Sequence, residues 1–495
     1  MEDTKSLMQI RIDKIEEIKR DFKINPFPYN YDVTNYSSDI KENFDSLFES
    51  EENLSLAGRI MAIRAMGKAS FCTLQDKEGK IQLYISDKNI GELHYNLFKK
   101  LDLGDIIGVK GTVKKTKVGE ITVYITELTL LAKNIRPLPV VKEKDGETYD
   151  LFADKELRYR NRQVDLIVTP GVIETFKKRI DIIKSIKKIL DEKQFLEVET
   201  PILQPIYGGA AAAPFTSHHN ALDINLYLRI SLEPYLKRLI VGGFERVYEI
   251  GKCFRNEGID RTHNPEFTML ELYQSYADYK DMMQLAEELI EKTALKINGT
   301  TKISFNGKNI DLKTPWKRIK MTDAIKEYTG LDVMSMSDDE LEDTVKKHGG
   351  EIKGDYIRGL AIDEIFQILV EDKLIDPIFI THQPVETTPL CKPDFDDERF
   401  LQRFELFING TEFANAYSES NDPVFQRKTL YEQSLRREVD DEAPPMDENF
   451  VQAIEAGMPP TGGMGIGIDR LVMLLTGETS IRDVLLFPTM KPEEH

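Results

Sequence analysis

The sequence is poor in cysteine and has no long apolar segment. Cys72, Cys253 and Cys391 stand far apart in 495 residues and form no CxxC pair. This spacing argues against a disulfide framework and indicates a reducing compartment, so we expect a cytoplasmic protein. No apolar run approaches the roughly 20 residues that a membrane span needs, and the charged N-terminus lacks the apolar core of a signal peptide.

The chain also lacks a net basic charge. The chain has 66 Lys and Arg against 85 Asp and Glu, a net charge of −19, which argues at first against nucleic acid because Lys and Arg bind phosphates. Residues 57–133 differ, since thirteen basic residues there outnumber eight acidic ones. A basic module on an acidic body suits a partner that binds at one place, although an ordinary solvated surface gives the same pattern.

The first part of the chain predicts a helix followed by a barrel. Apolar residues at helical spacing predict a helix over 5–24, and five short β-type runs follow between 54 and 131. With a helical stretch at 91–101 between the third and fourth runs, this order matches a five-stranded OB-fold barrel. The helical positions are Met8, Ile12, Ile15 and Ile18. We therefore expect a lead-in at 1–50, the barrel at 51–135 and a linker at 136–150.

The remainder, residues 151–495, mixes strands and helices and predicts an α+β domain with an antiparallel sheet. Phe176, Ile180, Ile183, Ile186 and Leu190 predict an amphipathic helix, and the run FLEVE after it predicts a strand.

Later parts of this domain carry their own signals. Ser231 is a candidate N-cap for a helix that reaches Gly242. Residues 280–375 are mostly helical in pattern and resemble an insertion.

The segment FRNEGIDRTHNPEFTMLELYQSYADY predicts a polar pocket on a strand. If 265–274 is a strand, alternation places Phe267, Glu271 and Tyr273 on one face. Arg255 lies on the strand before it. Because buried charges are costly unless they are paired, such a face favours a ligand pocket over a core. A solvated sheet face is the alternative, but it leaves the aromatic ring unexplained.

The segment FELFINGTEFANAY predicts a hairpin that holds two carboxylates. Its Asn-Gly pair at 409–410 favours a type I′ turn, which makes Glu405 and Glu412 diagonal neighbours on one face. Two like charges this close need a cation, and oxygen ligands suit Mg²⁺ bound to phosphates. A solvated surface pair is the alternative. Simple alternation places three further polar residues on the opposite face, so a bulge or a bend would be needed to bring them in: Asn415, Tyr417 and Glu419.

The segment TGGMGIGIDRLVMLL carries glycines at 463, 465 and 467, with Arg470 in the first turn of the helix that follows. The glycine spacing is not that of a Rossmann fold, and no GxxxxGK[ST] motif occurs. Any nucleotide is therefore expected on a sheet surface. The pair His218-His219 has no further ligand at zinc-binding spacing.

Together these segments resemble class II lysyl-tRNA synthetases of the bacterial type. FLEVETP is similar to motif 1 of that family, FRNEG with HNPEFTMLE to motif 2, and GGMGIGIDRLVMLL to motif 3. The resemblance covers nearly the whole chain, and FRNEG distinguishes this branch from aspartyl and asparaginyl relatives. It implies a homodimer built through motif 1, with tRNA(Lys), L-lysine and ATP as partners and up to three Mg²⁺ ions.

The resemblance also implies a role for each matching residue. Arg255 and Arg470 would be the catalytic cations, and Glu405 with Glu412 would hold Mg²⁺. The implied ATP-binding residues are Arg255, Glu257, His263, Asn264, Phe267 and Arg470. The implied lysine-binding residues are Gly209, Glu233, Glu271, Tyr273, Asn415, Tyr417 and Glu419, with the ammonium between Glu233 and Glu419. The barrel residues that would read the anticodon are Phe71, Gln82 and Glu127.

Five positions depart from the family pattern: Ala213, Pro234, Gln163, Gln383 and Ser420. Ala213 stands where a basic residue is expected, and such a side chain could reach the substrate carboxylate or a phosphate. Pro234 is tolerable in the first turn of a helix, where its missing N–H costs little.

Two other functions remain open at this stage. A lysine ligase that modifies elongation factor P would share the catalytic domain but lack the barrel. A non-catalytic tRNA-binding paralogue would have lost one of Arg255, Glu405, Glu412 or Arg470, and all four are present. An active lysine–tRNA ligase is the reading that we favour.

Overall fold

The computed structural model describes residues 2–139, 142–144, 147–149, 152–352, 354–436 and 443–493. The chain divides into two compact units, residues 1–154 and 155–495. Within the described ranges, no helix has both the length and the apolar character required to cross a bilayer.

The first unit contains a closed five-stranded barrel with strand order β1-β2-β3-β5-β4. Its elements are α1 (Glu2–Phe22), α2 (Ser37–Glu42), α3 (Phe44–Ser50), β1 (Leu54–Met66), β2 (Ala69–Gln75), β3 (Lys80–Ser86), α4 (Asp87–Lys99), β4 (Ile106–Lys115) and β5 (Ile121–Ala132), followed by the short pair β6 (Lys142–Lys144) and β7 (Glu147–Tyr149). The OB-fold prediction is confirmed, including the helix between the third and fourth strands. The proposed linker, 136–150, lies partly outside the described residues.

The barrel has its own apolar core, and the N-terminal helix packs onto it. Ile15 and Ile18 of α1 are buried, and Ile18 packs with Ile40 and the inward-facing residues of the strands. Ile12 does not share this face, because 39% of its surface is exposed. The predicted helical stripe was therefore wrong at that residue.

The second unit is built on an eight-stranded sheet of order β16-β17-β18-β19-β20-β13-β12-β8, with a smaller sheet β10-β11-β9 beside it. The strands are β8 (Leu196–Glu197), β9 (Leu203–Gln204), β10 (Thr216–His219), β11 (Ile224–Leu228), β12 (Arg246–Phe254), β13 (Glu266–Ser275), β14 (Lys302–Phe305), β15 (Lys308–Asp311), β16 (Lys317–Lys320), β17 (Ile378–Thr381), β18 (Arg403–Ile408), β19 (Thr411–Ser418) and β20 (Thr461–Gly467). The predicted antiparallel sheet is confirmed, apart from parallel pairs at its two ends.

Helices of this unit pack on both faces of the sheet. They are α5 (Lys155–Arg160), α6 (Arg162–Val168), α7 (Val172–Glu192), α8 (Glu233–Val241), α9 (Tyr279–Asn298), α10 (Met321–Thr329), α11 (Asp338–Lys347), α12 (Arg358–Leu369), α13 (Pro423–Leu435), α14 (Glu448–Glu455), α15 (Ile468–Thr476) and α16 (Ile481–Val484). Of these, α7, α9 and α15 lie on one face and α8 and α14 on the other. Helices α7, α9 and α15 bury their apolar sides against residues such as Leu270, Leu272 and Phe404 of the sheet, and these form the largest core. The opposite face of the central strands is left for polar residues.

The segment 280–375 contains most of α9, the helices α10, α11 and α12, and the strands β14, β15 and β16, and it is not separate from the sheet. Helix α9 contributes Met282, Ala286 and Leu289 to the main core, and β16 is an edge strand of the eight-stranded sheet. Helices α10, α11 and α12 form a second core of their own. Burial of one face of α9 is a long-range contact that periodicity alone could not reveal.

Three local predictions needed correction. Helix α8 begins at Glu233 with Leu232 as its N-cap; Ser231 stands one residue earlier, and its Oγ accepts a hydrogen bond from the Glu233 N–H at 3.1 Å. The FLEVE strand shrinks to the two residues of β8, which pair in parallel with β12. Ile180 of α7 is exposed although it fits the predicted apolar stripe.

Candidate active site

A cavity of about 460 Å³ opens on the face of the sheet opposite the helical core. It is bordered by α8, the chain after β12, and strands β13, β18, β19 and β20. The residues predicted to bind ATP, lysine or Mg²⁺ all line it: Gly209, Glu233, Arg255, Glu257, His263, Asn264, Phe267, Glu271, Tyr273, Glu405, Glu412, Asn415, Tyr417, Glu419 and Arg470.

Two rows of residues across four strands make the cavity floor. In the first row, Glu405 pairs with Asn415, Asn415 with Gly465, and Gly465 with Glu271. Because strand side chains alternate, every second residue of β13 points to the cavity, while Leu270 between them lies in the core.

The second row lies one alternation step away. Arg403 pairs with Tyr417, Tyr417 with Gly463, and Gly463 with Tyr273. Each row therefore carries polar side chains on three strands and a glycine on the fourth.

A β-bulge in the β18–β19 hairpin produces these rows. Phe407 pairs with Glu412, but the next pair is Leu406 with Ala414, so Phe413 is the extra residue. The extra residue shifts the alternation by one, and residues after it reach the same face as Glu405 and Glu412. The turn itself has positive φ at both Asn409 and Gly410, as a type I′ turn requires.

Glycine at 463 is required by the floor. A Cβ added there would overlap the Glu419 carboxylate and the Tyr273 ring. Gly209 is restricted in two ways, because its φ is +84° and a Cβ would lie 2.9 Å from Pro234 Cδ. Both glycines let backbone approach the cavity where any side chain would close it.

One end of the cavity is anionic and deeply buried. Glu233 begins α8 and Glu419 follows β19, and 6% and 1% of their surfaces are exposed. Lys237, one helical turn after Glu233, forms ion pairs with both carboxylates. Among the described residues, no donor hydrogen-bonds to Oε1 of Glu419. A buried acceptor without a donor indicates that a ligand supplies one.

Glu271 is a third buried carboxylate, next to this pair. Its Oε1 accepts hydrogen bonds from Ser231 Oγ at 3.0 Å and from the Leu232 N–H at 2.9 Å. Burial raises the pKa of Glu271 to about 7. The loop that leads into α8 thus fixes this side chain at the side of the cavity, between the anionic end and the cationic end.

The other end of the cavity is cationic. The Arg255 guanidinium lies over the Phe267 ring at 5.2 Å, and its buried Nε has no acceptor among the described residues. Arg470 donates from Nη1 to the Glu412 carbonyl at 2.7 Å, and its Nη2 lies 3.3 Å from His263 Nε2. Two arginines that line this end of the cavity favour an anionic ligand there.

Side chains of the loop between β12 and β13 hold His263 in place. Asp260 lies 2.8 Å from His263 Nδ1 and also accepts from the His263 N–H. Asn264 is buried and donates to the Glu266 carbonyl at 2.6 Å. Glu257 is exposed at the rim of the cavity.

Glu405 and Glu412 line the cavity close to the arginines. Arg403 binds Glu405 at 2.5 Å, donates to Asn415 Oδ1 at 3.2 Å and to Thr387 Oγ1 at 3.0 Å. Burial raises the pKa of Glu405, and the charge of Arg403 opposes that rise. No group of three or more His, Cys, Asp or Glu in the described part of the chain is placed to hold a metal.

The barrel presents a strip of rings on its outer surface. Phe71, Tyr84 and Tyr124 stand on the neighbouring strands β2, β3 and β5, with ring centroids 5.3 and 4.8 Å apart. Gln82 lies beside them and accepts a hydrogen bond from Thr122 Oγ1 at 2.8 Å. Half-buried rings on an outer face, rather than in the core, suit stacking against a ligand.

Glu127 lies further along β5, where the pairing with β4 shifts register. Its carboxylate forms an exposed ion pair with Lys110 at 2.9 Å. It is therefore already partnered on the barrel surface, unlike Phe71.

The comparisons with known proteins agree on the family of this chain. Residues 154–491 match the class II tRNA synthetases (D, K and N), and residues 54–131 match the OB-fold nucleic acid binding domain. A lysine–tRNA ligase of Thermoanaerobacter sp. is 52% identical over 495 residues, which cover 99% of this chain and 97% of that protein. One from Clostridium novyi is 50% identical over 98% of this chain and 95% of its own length. The chain belongs to the lysine–tRNA ligase family.

The departures from the pattern of the lysine–tRNA ligase family are dispersed in the structure. Gln163 is exposed, and Ser420 is buried with its N–H bonded to the Leu390 carbonyl. Gln383 is buried and donates to the Ile380 carbonyl at 3.1 Å. None of these three lines the cavity.

Ala213 and Pro234 lie nearer to the cavity. Pro234 lies in the first turn of α8, as expected, and lines the cavity. Ala213 does not line it; its carbonyl accepts a hydrogen bond from the Asn256 N–H at 2.8 Å.

Sequence reasoning missed two charged residues of this lysine–tRNA ligase family site. Arg403 is in phase with Glu405 on β18, so the alternation used for the carboxylates would also have found it. Lys237 lies four residues after Glu233, the spacing of an ion pair on a helix. Both residues could have been predicted from these spacings. Neither lies within the motifs or the hairpin segment from which the candidate residues were chosen.

Proposed function

We propose that this protein is a lysine–tRNA ligase, which uses ATP to convert L-lysine into lysyl-adenylate and transfers the lysyl group to the 3′ end of tRNA(Lys). One observation carries the proposal: the buried carboxylates Glu233 and Glu419 close one end of a cavity whose other end holds arginines. An ammonium group would balance the carboxylates at the first end, and phosphates would balance the arginines at the second.

The amino-acid site follows from this polarity. A desolvated ammonium needs ionic partners, and Glu233 and Glu419 would supply them at the buried end of the cavity. Glu271 would line the same site. Gly209, Tyr273, Asn415 and Tyr417 complete the walls of this site. Carboxylates left unpaired would penalise an uncharged side chain, which gives the selectivity.

The ATP site occupies the cationic end. Phe267 would stack on the adenine, Arg255 would bridge the α-phosphate and the lysine carboxylate, and Arg470 would hold the γ-phosphate. Glu257, His263 and Asn264 line the same end and would orient the nucleotide. Arg470 is held by the Glu412 carbonyl, so its guanidinium is already positioned before ATP binds.

Mg²⁺ fits the oxygen donors at this end. Glu405 and Glu412 offer carboxylate oxygens on one sheet face beside the arginines, the ligand type that Mg²⁺ prefers together with substrate phosphates. When bound, Mg²⁺ would neutralise charge on the triphosphate. We propose that up to three Mg²⁺ ions bind here, and that ATP is a substrate of the reaction.

The reaction needs no protein nucleophile. The lysine carboxylate attacks the α-phosphorus in line, the bond to the β-phosphate oxygen breaks, and pyrophosphate leaves. Arg255 would stabilise the added charge on the α-phosphate and Arg470 that on the leaving group. A hydroxyl of the terminal ribose of tRNA then attacks the lysyl carbonyl and releases AMP. Positioning and charge stabilisation provide the catalysis.

The barrel would bind the anticodon of tRNA(Lys). Phe71 offers a stacking platform, and Gln82 and Glu127 offer amide and carboxylate groups to base edges. Stacking of one unpaired base on Phe71 would contribute about 1–3 kcal/mol. The presence of the barrel favours tRNA over elongation factor P as the acceptor.

We further propose a cytoplasmic homodimer that forms through the FLEVETP segment. Large apolar residues lie exposed on and near this segment: Ile180, Leu196, Ile202 and Leu203. Several large exposed apolar residues in one part of the sequence favour a protein interface there. Sedimentation analysis tests this part, and a monomer at micromolar concentration would contradict it.

The function is tested by ATP–pyrophosphate exchange with each of the twenty amino acids in turn. We expect exchange that depends on lysine and Mg²⁺, followed by charging of tRNA(Lys). Equal exchange with aspartate or asparagine would contradict the proposal. Exchange with lysine but no charging of tRNA, together with lysylation of a protein acceptor, would support the elongation-factor alternative instead.

A further inference from the structure

Lys237 is a buried cation behind the proposed ammonium site. Its side chain is fully shielded from solvent and does not line the cavity, whereas Glu233 and Glu419 do. Its ammonium pairs with Glu233 Oε1 and Glu419 Oε2, lies 3.5 Å from the Leu390 carbonyl, and lies 5.9 Å from the centre of the Phe450 ring. The Lys237 side chain therefore ends behind both carboxylates, on the side away from the cavity.

This arrangement leaves one oxygen of Glu419 free for a ligand. Lys237 holds one oxygen of Glu233 and one of Glu419. The second oxygen of Glu419 lies against Gly463, with no hydrogen-bond donor among the described residues. A single ammonium group arriving from the cavity would meet this free oxygen.

The charge count gives the same answer. Two carboxylates and one ammonium leave one negative charge, which the single charge of a bound lysine side chain would balance. Without Lys237, two buried like charges would share the site, and one of them would hold a proton instead. The substrate ammonium would then have to displace that proton.

We propose that Lys237 is a positioning residue that favours the ionised form of Glu233 and Glu419 and fixes their orientation, so that the empty site accepts one ammonium group. Lys237 acts through the two carboxylates and does not touch the substrate. This inference rests on the proposed function and adds a residue that sets both the affinity for lysine and its dependence on pH.

The surrounding groups set the direction of the pH effect. Burial raises the pKa of Glu233 and Glu419, and the charge of Lys237 opposes that rise. Burial lowers the pKa of Lys237, but the two carboxylates outweigh it and the net pKa is raised. The other groups that face the carboxylates are Glu271 and Tyr273 from β13, Tyr417 from β19, and Cys391 and Arg403. All of these are retained when only Lys237 is changed.

The test measures the KM for lysine in ATP–pyrophosphate exchange between pH 6 and pH 9 for the wild type and Lys237→Met. A proton that competes with lysine weakens binding at low pH, so KM rises as the pH falls. We expect Lys237→Met to move the midpoint of that rise upward by at least about one pH unit, with KM for lysine raised about tenfold at pH 7. KM for ATP should stay within about twofold.

Lys133→Met is the matched control. Lys133 is equally shielded and pairs with Asp102 and Asp105, at 2.7 Å from the latter, but it belongs to the barrel. Its loss should leave KM for lysine and the pH midpoint unchanged. An unchanged midpoint in Lys237→Met, with only lower stability or lower kcat, would overturn the inference. No lysine-dependent exchange by the wild type would instead overturn the proposed function.

A second pair of variants covers the case in which Lys237→Met does not fold. Glu233→Gln and the double variant Glu233→Gln/Lys237→Met differ only in Lys237 and lack one of the buried charges. We expect the midpoint to lie higher in the double variant, because Glu419 has then lost its cation. Equal midpoints would contradict the inference as well.

Discussion

The barrel and the eight-stranded sheet present their candidate binding residues in opposite ways. On the barrel, Phe71, Tyr84 and Tyr124 form a half-buried strip on the outer surface. The apolar core beneath them consists of residues of the first unit alone. On the sheet, charged side chains line a cavity, and Glu419 and Glu271 are almost fully buried.

This difference predicts how each region responds to mutation. A surface ring contributes its own contact, and little else changes when it is removed. A buried charge is coupled to its partners, so its removal also leaves another charge uncompensated, at a cost of about 3–5 kcal/mol. The catalytic face should therefore tolerate substitution far less than the barrel surface.

Glu412→Gln should have the largest effect. Loss of one of the two carboxylates beside the arginines removes a ligand for Mg²⁺, and we expect lysine-dependent exchange to fall by roughly 10³-fold or more. The measurement is initial-rate exchange at saturating lysine and varied Mg²⁺. Glu342→Gln, an ion-paired surface residue of α11, serves as the control and should leave the rate unchanged. Exchange by Glu412→Gln within tenfold of the wild type would argue against the metal role.

Arg403→Met should follow, with kcat/KM for exchange lower by roughly 10²-fold, because Glu405 is left buried without its cation and Asn415 loses a donor. Arg318→Met is the matched control. Arg318 also pairs with a glutamate, Glu287, at 2.8 Å, but it does not line the cavity. It should affect the thermal midpoint and not the kinetics. Equal kinetic losses in both variants would mean that Arg403 only stabilises the sheet.

Phe71→Ala tests the barrel. We expect tRNA charging to fall roughly 5- to 150-fold in kcat/KM, the equivalent of about 1–3 kcal/mol of stacking, while exchange without tRNA stays unchanged. Charging and exchange are measured on the same preparation. If both reactions decline alike, Phe71 is a structural residue of the barrel, and the comparison between the two regions loses its basis.

Ala213→Arg should have the smallest effect. The sequence pattern predicts a gain, because a basic side chain is expected to reach a substrate anion. The structure places Ala213 outside the cavity lining, so we expect kcat/KM for ATP and for lysine to change by less than about twofold. Steady-state exchange kinetics decide between the two expectations, and a clear rise would restore the active-site role.

The sequence predicted the barrel closely because its strands mostly pair with neighbours along the chain. Alternation alone fixes which residues of β2 and β3 point inward, as Cys72 and Leu83 do. The turn at Asn409–Gly410 likewise depends only on residues close in sequence. The structure has this turn, with Phe407 paired with Glu412 across the two strands.

Long-range features escaped prediction. Helix α9 joins the main core through contacts with strands more than a hundred residues away, as in the bond between the Tyr279 N–H and Ser418 Oγ. The sequence predicted that this hairpin needs a bulge or a bend. Its position at Phe413 could not be predicted, because the register of β19 depends on its pairing with β20. Lys237 was missed because its second partner, Glu419, is remote in sequence.

The bulge at Phe413 divides strand β19 into two parts. Glu412, before it, is one of the proposed Mg²⁺ ligands; Asn415, Tyr417 and Glu419, after it, are among the proposed lysine-binding residues. On this proposal, substitutions at residues 415–419 can change which side chain is bound while Glu412 stays as it is. Deleting the single residue Phe413 would turn residues 415 and 417 toward the core, so this position sets the register that both proposed sets of residues share.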